Sequence, residues 1–217
     1  MKTIALIPIK MGSKRVPQKN IKPFFDGTPL VTFIQKACLN ARNVDEAYIY
    51  CSSEEIVPYV LPGVKFLKRP DYLNQDTINA NDIISEFMKT VDADIYVNAH
   101  STSPFAKPET ISELVDKVAS GEYDSAFCAE SLRSFMWQDG KPLNFDPSHF
   151  PRTQDLPVIF SETSIAYVFS KESFRKHNRR LGSHPFIKEV GKIEAIDIDY
   201  PEDFEIADAI YKEVFKK

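Results

Sequence analysis

The chain has 217 residues, 43% hydrophobic and 27% charged, an ordinary globular composition that suits one domain and argues against disorder. Lysine and arginine number 27, aspartate and glutamate 31, and the net charge of −4 speaks against broad nucleic-acid binding. No apolar run reaches the length of a membrane span, the short apolar start is too brief for a signal peptide, and Cys38, Cys51 and Cys128 are widely spaced and odd in number, so buried free thiols in a reducing cytoplasm are expected.

Residues 3–8 form a short apolar run of the buried-strand type. The next segment is a loop rich in lysine, followed by a helix over 29–41, where Leu30, Phe33, Ile34, Ala37 and Ala41 share one face. Strands are predicted at 47–52 and 64–67. A second helix covers 79–91, with Ile84, Phe87, Met88 and Val91 in phase, and a strand follows at 94–99. Pro108 stands early in the next helix, where its missing N–H costs nothing. The run 124–129 closes this alternating series. Strands alternating with helices indicate an α/β fold, a mostly parallel sheet with helices on both faces and ligands outside the carboxyl ends of the strands.

The pattern changes over 131–155, which holds Phe135, Trp137, Phe145, Phe150 and a turn signal at Asp139-Gly140. It reads as an aromatic, hairpin-like excursion, either a flap on its own domain or a dimer contact. Strand character returns at 164–170, a final strand is predicted at 193–198, and a terminal helix over 201–215 opens on Glu202, Asp203 and Glu205. One domain over 1–217 accounts for the whole chain.

Two segments carry chemistry. The loop Lys10-Met11-Gly12-Ser13-Lys14-Arg15-Val16-Pro17-Gln18-Lys19-Asn20 follows the first strand. Gly12 permits close backbone approach, Ser13 offers a hydroxyl, and Lys10, Lys14 and Lys19 can neutralise a phosphate chain. Neither the Walker A nor the dinucleotide spacing is present, and the bland alternative is a solvated basic loop. Late in the chain, Asp197 and Asp199 are spaced i, i+2, so on a strand they face one side. Two such carboxylates suit Mg²⁺ with water and phosphate oxygens. Their alternative is a solvent-facing strand end.

These residues resemble a known family. The stretch from Ile7 to Asn20 is similar to the I-P-A-R-x-G-S-K-x-x-P-x-K-N loop of the acylneuraminate cytidylyltransferases. Arg69-Pro70 with Leu73, Asp76 and Thr77 resembles the family's R-P-x-x-L-x-x-D-T, Ser101-Thr102-Ser103-Pro104 its P-T-S-P turn, and Asp197-Ile198-Asp199 its D-I-D motif. The resemblance implies a glycosyltransferase-A-like nucleotidyltransferase fold, CTP and an acidic sugar as substrates, Mg²⁺, pyrophosphate release, and a homodimer in which the excursion helps complete the partner's site. It implies that Lys14 and Lys19 contact the triphosphate with help from Lys10, Met11, Gly12 and Ser13. It implies also that Asn20 supports the loop or binds the nucleotide, that Arg69, Asp76 and Thr77 lie along the cytidine side, and that Asp197 and Asp199 hold the metal.

The departures fall mostly on the acceptor side. Lys10 stands where arginine is usual, His100 where glutamine is common, Ser101 where the first proline of the turn would be, and Ala106 where arginine is common. Arg152 matches a sugar-side arginine, whereas Ser161-Glu162 replaces a basic residue. His100, Ser101, Arg152 and Glu162 are therefore the acceptor-side candidates. The competing readings are a nucleotidyltransferase with another acceptor, such as a phosphonate, or another nucleotide, and a catalytically inactive nucleotide-binding protein. Arg179 and Arg180 can face solvent, a partner chain or substrate.

Overall fold

Continuous apolar strands need cover on both faces, and β1 (Thr3–Ile9) shows how it is supplied. Its Ala5, Ile7 and Ile9 pack with α1 (Leu30–Asn40) and α3 (Pro108–Ala119) in one fully buried cluster. Its Ile4 and Leu6 point the other way, into a cluster with Ile84 and Phe87 of α2 (Ala80–Thr90) and Phe174 of α4 (Lys171–His177). Side chains alternate across the strand, so one strand anchors two cores. The structure, a computed structural model, describes residues 1–215.

β2 (Glu46–Cys51), β3 (Val64–Lys68) and β4 (Ile95–Ala99) run parallel with β1. β5 (Ser125–Leu132) and β9 (Pro185–Glu189) pair in parallel, and β8 (Ile159–Ser170) lies antiparallel between β4 and β5. The seven strands follow the order β3-β2-β1-β4-β8-β5-β9. The chain leaves β1 for β2 on one side, while β4 returns on the other. That divergence opens a crevice beyond the carboxyl ends of β1 and β4, where such sheets bind ligands.

The predicted strands at 3–8, 47–52, 64–67, 94–99, 124–129 and 164–170 all lie in or overlap observed strands. The predicted strand at 193–198 does not form. That segment turns at residues 192–195 and continues as irregular extended chain, and the last strand is β9 instead. The backbone groups explain why. Ala195 N–H bonds the Gly191 carbonyl, and Ile198 N–H bonds the Thr102 carbonyl at 2.9 Å. The Ile198 carbonyl accepts from the Lys19 ammonium at 2.7 Å, so loops take the groups a ladder would use.

Ile198 is nonetheless fully buried, in a third cluster with Phe24, Phe105 and Phe204 that seats α5 (Pro201–Ile210). α5 is shorter than the predicted helix and continues as a wider π-helical turn to Phe215. Its Asp203 accepts from the backbone N–H of Asp199 at 2.9 Å and of Tyr200 at 2.7 Å, fixing the chain just before the helix.

The excursion is a hairpin. β6 (Trp137–Gln138) and β7 (Lys141–Pro142) pair across Asp139-Gly140, both at positive φ, the geometry an Asp-Gly turn favours. Its aromatic rings pack on one another, with Phe135 and Phe145 centroids 4.8 Å apart. Trp137 and Phe150 remain 59% and 63% exposed. Cys38, Cys51 and Cys128 are buried and unpaired. Among the described residues, no helix is long and apolar enough to cross a membrane.

Candidate active site

The loop after β1 is shaped by short polar contacts. Asn20, buried, donates from Nδ2 to the Lys10 carbonyl at 3.0 Å and accepts from the Ser101 hydroxyl at 2.6 Å. One asparagine thus closes the loop on itself and ties it to the turn after β4. The result is a cleft of about 350 Å³ lined by Lys10, Gly12, Ser13, Lys14, Lys19, Asn20, Asp76 and Ser101, together with Arg15 and Thr102. An adjoining hollow of about 260 Å³ shares Lys10, Ser101 and Thr102 and adds Arg69, Asn79, Asn98 and His100.

Carboxylates bracket the cations of the cleft. Asp76 lies 3.4 Å from the Lys14 ammonium and 3.6 Å from that of Lys10, and these two lysines hold its carboxyl below the usual aspartate range. On the other flank, Arg15 donates to both oxygens of Asp199, at 2.8 and 3.2 Å, and Lys19 lies 3.5 Å from the same carboxylate. Asp197 accepts from the Ser164 hydroxyl at 2.9 Å through one oxygen; its other oxygen, Oδ1, is buried and has no partner in the protein. The beginning and the end of the chain therefore meet at the edge of the cleft, through Arg15 and Lys19, although Asp197 and Asp199 are not among its lining residues.

Among the described residues, no group of three or more histidine, cysteine or acidic side chains gathers to hold a metal ion. A pair of aspartates still fits Mg²⁺, which takes one or two carboxylates and fills its remaining positions with water and substrate oxygens. The unpartnered Asp197 oxygen is a donor of the right chemistry.

In the adjoining hollow, Arg69 is 2% exposed, and its guanidinium donates to Asn74 Oδ1 at 2.7 Å while Nε has no protein partner. Burial lowers its pKa below the usual arginine value. Nε2 of His100 lies 3.0 Å from the Asn98 amide nitrogen. Burial, and then the nearby Arg180, push the imidazole down to about 4. Beyond it, the Arg180 guanidinium stacks 3.4 Å over the Tyr167 ring and lies 3.6 Å from Glu162, which also accepts from the Tyr167 hydroxyl.

The remaining candidates stand apart. Met11 is half-buried against the main core, and Thr77 is exposed beside Asp76 without lining the cleft. Arg152 sits on the excursion, 73% exposed, and its guanidinium pairs with Asp155 of the same turn rather than reaching the cleft of its own chain. Sequence reasoning missed Arg15, Asn74 and Asn98 as members of the site and left Arg180 unplaced. Arg15 carried a signal, since it belongs to the basic loop. Asn74 and Asn98 carried none, because nothing in their spacing tells which neighbour they bond.

A family model described as cytidylyltransferase matches residues 4–215. The chain belongs to the cytidylyltransferase family. N-acylneuraminate cytidylyltransferase A of Danio rerio is 28% identical over 94% of this chain and 49% of its own length. The pseudaminic acid cytidylyltransferase of Campylobacter jejuni is 24% identical over 98% of this chain and 97% of its own. The chain thus spans about half the length of the N-acylneuraminate relatives and nearly all of the pseudaminic acid one. Among solved structures, a CMP-2-keto-3-deoxy-manno-octonic acid synthetase in complex with CTP superposes with a TM-score of 0.72 at 18% identity, covering 98% of this chain and 99% of the other. A 4-diphosphocytidyl-2C-methyl-D-erythritol synthase from Anaerococcus prevotii gives 0.68 at 11% identity, covering 98% and 96%. At those identities the likeness is one of fold. This member of the cytidylyltransferase family has the nucleotidyltransferase architecture that the sheet order describes.

Proposed function

We propose that this chain transfers CMP from CTP to an acidic sugar. An oxygen of the sugar acid attacks the α-phosphorus, the bond from that phosphorus to the bridging oxygen breaks, and pyrophosphate leaves with the electron pair. The observation that carries this reading is the union of the basic loop with Asp197-Ile198-Asp199, stitched by Lys19 and Arg15, in a chain that the family matches over 4–215.

Lys10, Lys14 and Lys19 neutralise and orient the triphosphate, with Gly12 and Ser13 supplying close approach and a hydroxyl. Asn20 keeps the loop in that shape. Arg69 and the hollow beside it receive the nucleoside, while Asp76 pairs with Lys14 and Lys10 in the cleft next to it. Positioning and fixed charge are the main catalytic contributions. Asp197 and Asp199 would hold Mg²⁺, which when bound offsets phosphate charge and polarises the phosphorus under attack. His100, held near 4, is a poor proton acceptor at neutral pH and serves with Ser101 as a hydrogen-bonding group where that hollow meets the acceptor.

The acceptor belongs to the nonulosonic or related keto-deoxy acids. Glu162, already engaged by Tyr167 and Arg180, favours an acceptor other than one gripped by a cation at that position. The exposed rings of Trp137 and Phe150 support a homodimer through the excursion, which would carry Arg152 to the partner's site. Three buried unpaired thiols suit a reducing cytoplasm.

The test is incubation with CTP, Mg²⁺ and a panel of sialic, pseudaminic, keto-deoxy and phosphonate acceptors, following pyrophosphate and the product mass. Pyrophosphate release with a sugar acid supports the reading. Nucleotide binding without turnover on any acceptor would leave a nucleotide-binding protein instead. Light scattering on the Trp137→Ser, Phe150→Ser double variant tests the dimer, which should dissociate.

A further inference from the structure

Both oxygens of Asp199 are taken by one guanidinium fork. The backbone that carries Asp199 is pinned, because the Asp199 and Tyr200 N–H groups are capped by Asp203. Lys19 is fixed too, only 12% exposed and bonded to the Ile198 carbonyl. Arg15 differs. Its side chain is 51% exposed, it rests 4.9 Å from the Tyr200 ring centroid, and it lines the same cleft as Gly12, Ser13 and Lys14. The neighbouring Asp197 keeps an oxygen without a partner. One half of the aspartate pair thus keeps a buried oxygen without a protein partner, while the other is covered by a half-exposed arginine of the chain's own.

We propose that Arg15 is a positioning residue that latches Asp199: guanidinium and divalent cation exclude one another there, and a cation at Asp199 releases Arg15 into the cleft, where it joins the lysines around an anion. This rests on the reading of Asp197 and Asp199 as the metal pair. Cation binding and phosphate binding then help one another, because each is easier once Arg15 has left Asp199. Arginine suits the task, since its planar fork covers both carboxylate oxygens and is equally able to grip phosphate.

The test is titration with Mn²⁺ alone, with free ion read by electron paramagnetic resonance, and with each variant's fold checked by circular dichroism. Arg15→Gln should bind Mn²⁺ more tightly than wild type, about five- to tenfold, at the lower end of usual coupling factors. Arg15→Lys keeps the charge but not the fork, and should also bind more tightly than wild type. A second arm measures inorganic pyrophosphate binding in metal-free buffer. Asp199→Asn should tighten it more when Arg15 is present than in the Arg15→Gln background. Equal or weaker Mn²⁺ binding in Arg15→Gln, wild-type affinity in Arg15→Lys, or equal pyrophosphate gains in both backgrounds would overturn the latch. Asp197→Asn separates the two claims. If it leaves Mn²⁺ binding unchanged, the metal pair itself is misplaced; if it abolishes binding while Arg15→Gln has no effect, the latch alone falls.

Discussion

Lys19→Met isolates the contact that joins the two ends of the chain. The Lys19 ammonium donates to the Ile198 carbonyl at 2.7 Å and lies 3.5 Å from Asp199, and its side chain is only 12% exposed. Methionine keeps most of the volume but leaves that carbonyl without its charged donor. Hydrogen bonds to charged groups contribute roughly 1.5–3 kcal/mol. In a domain of this size each kcal/mol moves Tm by about 2–4 °C, so a loss of about 2 kcal/mol lowers Tm by about 4–8 °C. Lys14→Met provides the contrast. Its side chain is 84% exposed and its partner Asp76 is 78% exposed, so the melt should stay within error while CTP binding weakens. The assay is calorimetric melting of the ligand-free variants, followed by titration with CTP. An unshifted melt for Lys19→Met, or equal shifts for both variants, would refute the claim that Lys19 is a structural stitch.

Asp199→Asn should cut turnover at least about 100-fold, the scale of losing a main electrostatic contribution, with the far-ultraviolet dichroism unchanged. Ser101→Ala leaves the buried Asn20 oxygen without its donor; a loss of about 1–3 kcal/mol by urea unfolding and a raised KM for CTP are expected. His100 makes stability depend on pH. Its folded pKa, about 4, lies below the ordinary imidazole value of 6.5, so the unfolded chain binds more protons between those values. Its contribution is complete above pH 6.5 and is lost as pH falls toward 4. Replacement by glutamine should flatten the unfolding free energy across that window, measured by urea melts at several pH values. Phe87→Ala removes a fully buried ring packed against Tyr48, Tyr50 and Tyr96, and should cost about 3–5 kcal/mol in the same assay.

Much of the architecture was legible in one dimension because it is written in periodicity. The apolar run at 3–8 required a buried strand, and the shared face of Ile34, Ala37 and Ala41 required a helix to cover one side of it. Asp139-Gly140 announced its hairpin through local backbone chemistry. Lys10 to Asn20 stood out as a basic loop after a central strand, and the fold gathers its lysines along one cleft. Where the backbone's partners come from far away, local pattern failed. Residues 196–199 alternate like a strand, yet Thr102 and Lys19 take the hydrogen bonds of Ile198 and no ladder forms. Arg152 reads as a site residue from its neighbours in sequence, and only the fold shows that it pairs with Asp155 on the excursion, away from the cleft of its own chain. Tertiary structure alone paired Arg15 with Asp199, set Asn74 beneath Arg69, and stacked Arg180 on Tyr167. Periodicity records which face of an element meets apolar neighbours; the choice among charged partners is made by distance, and only the folded chain sets distances.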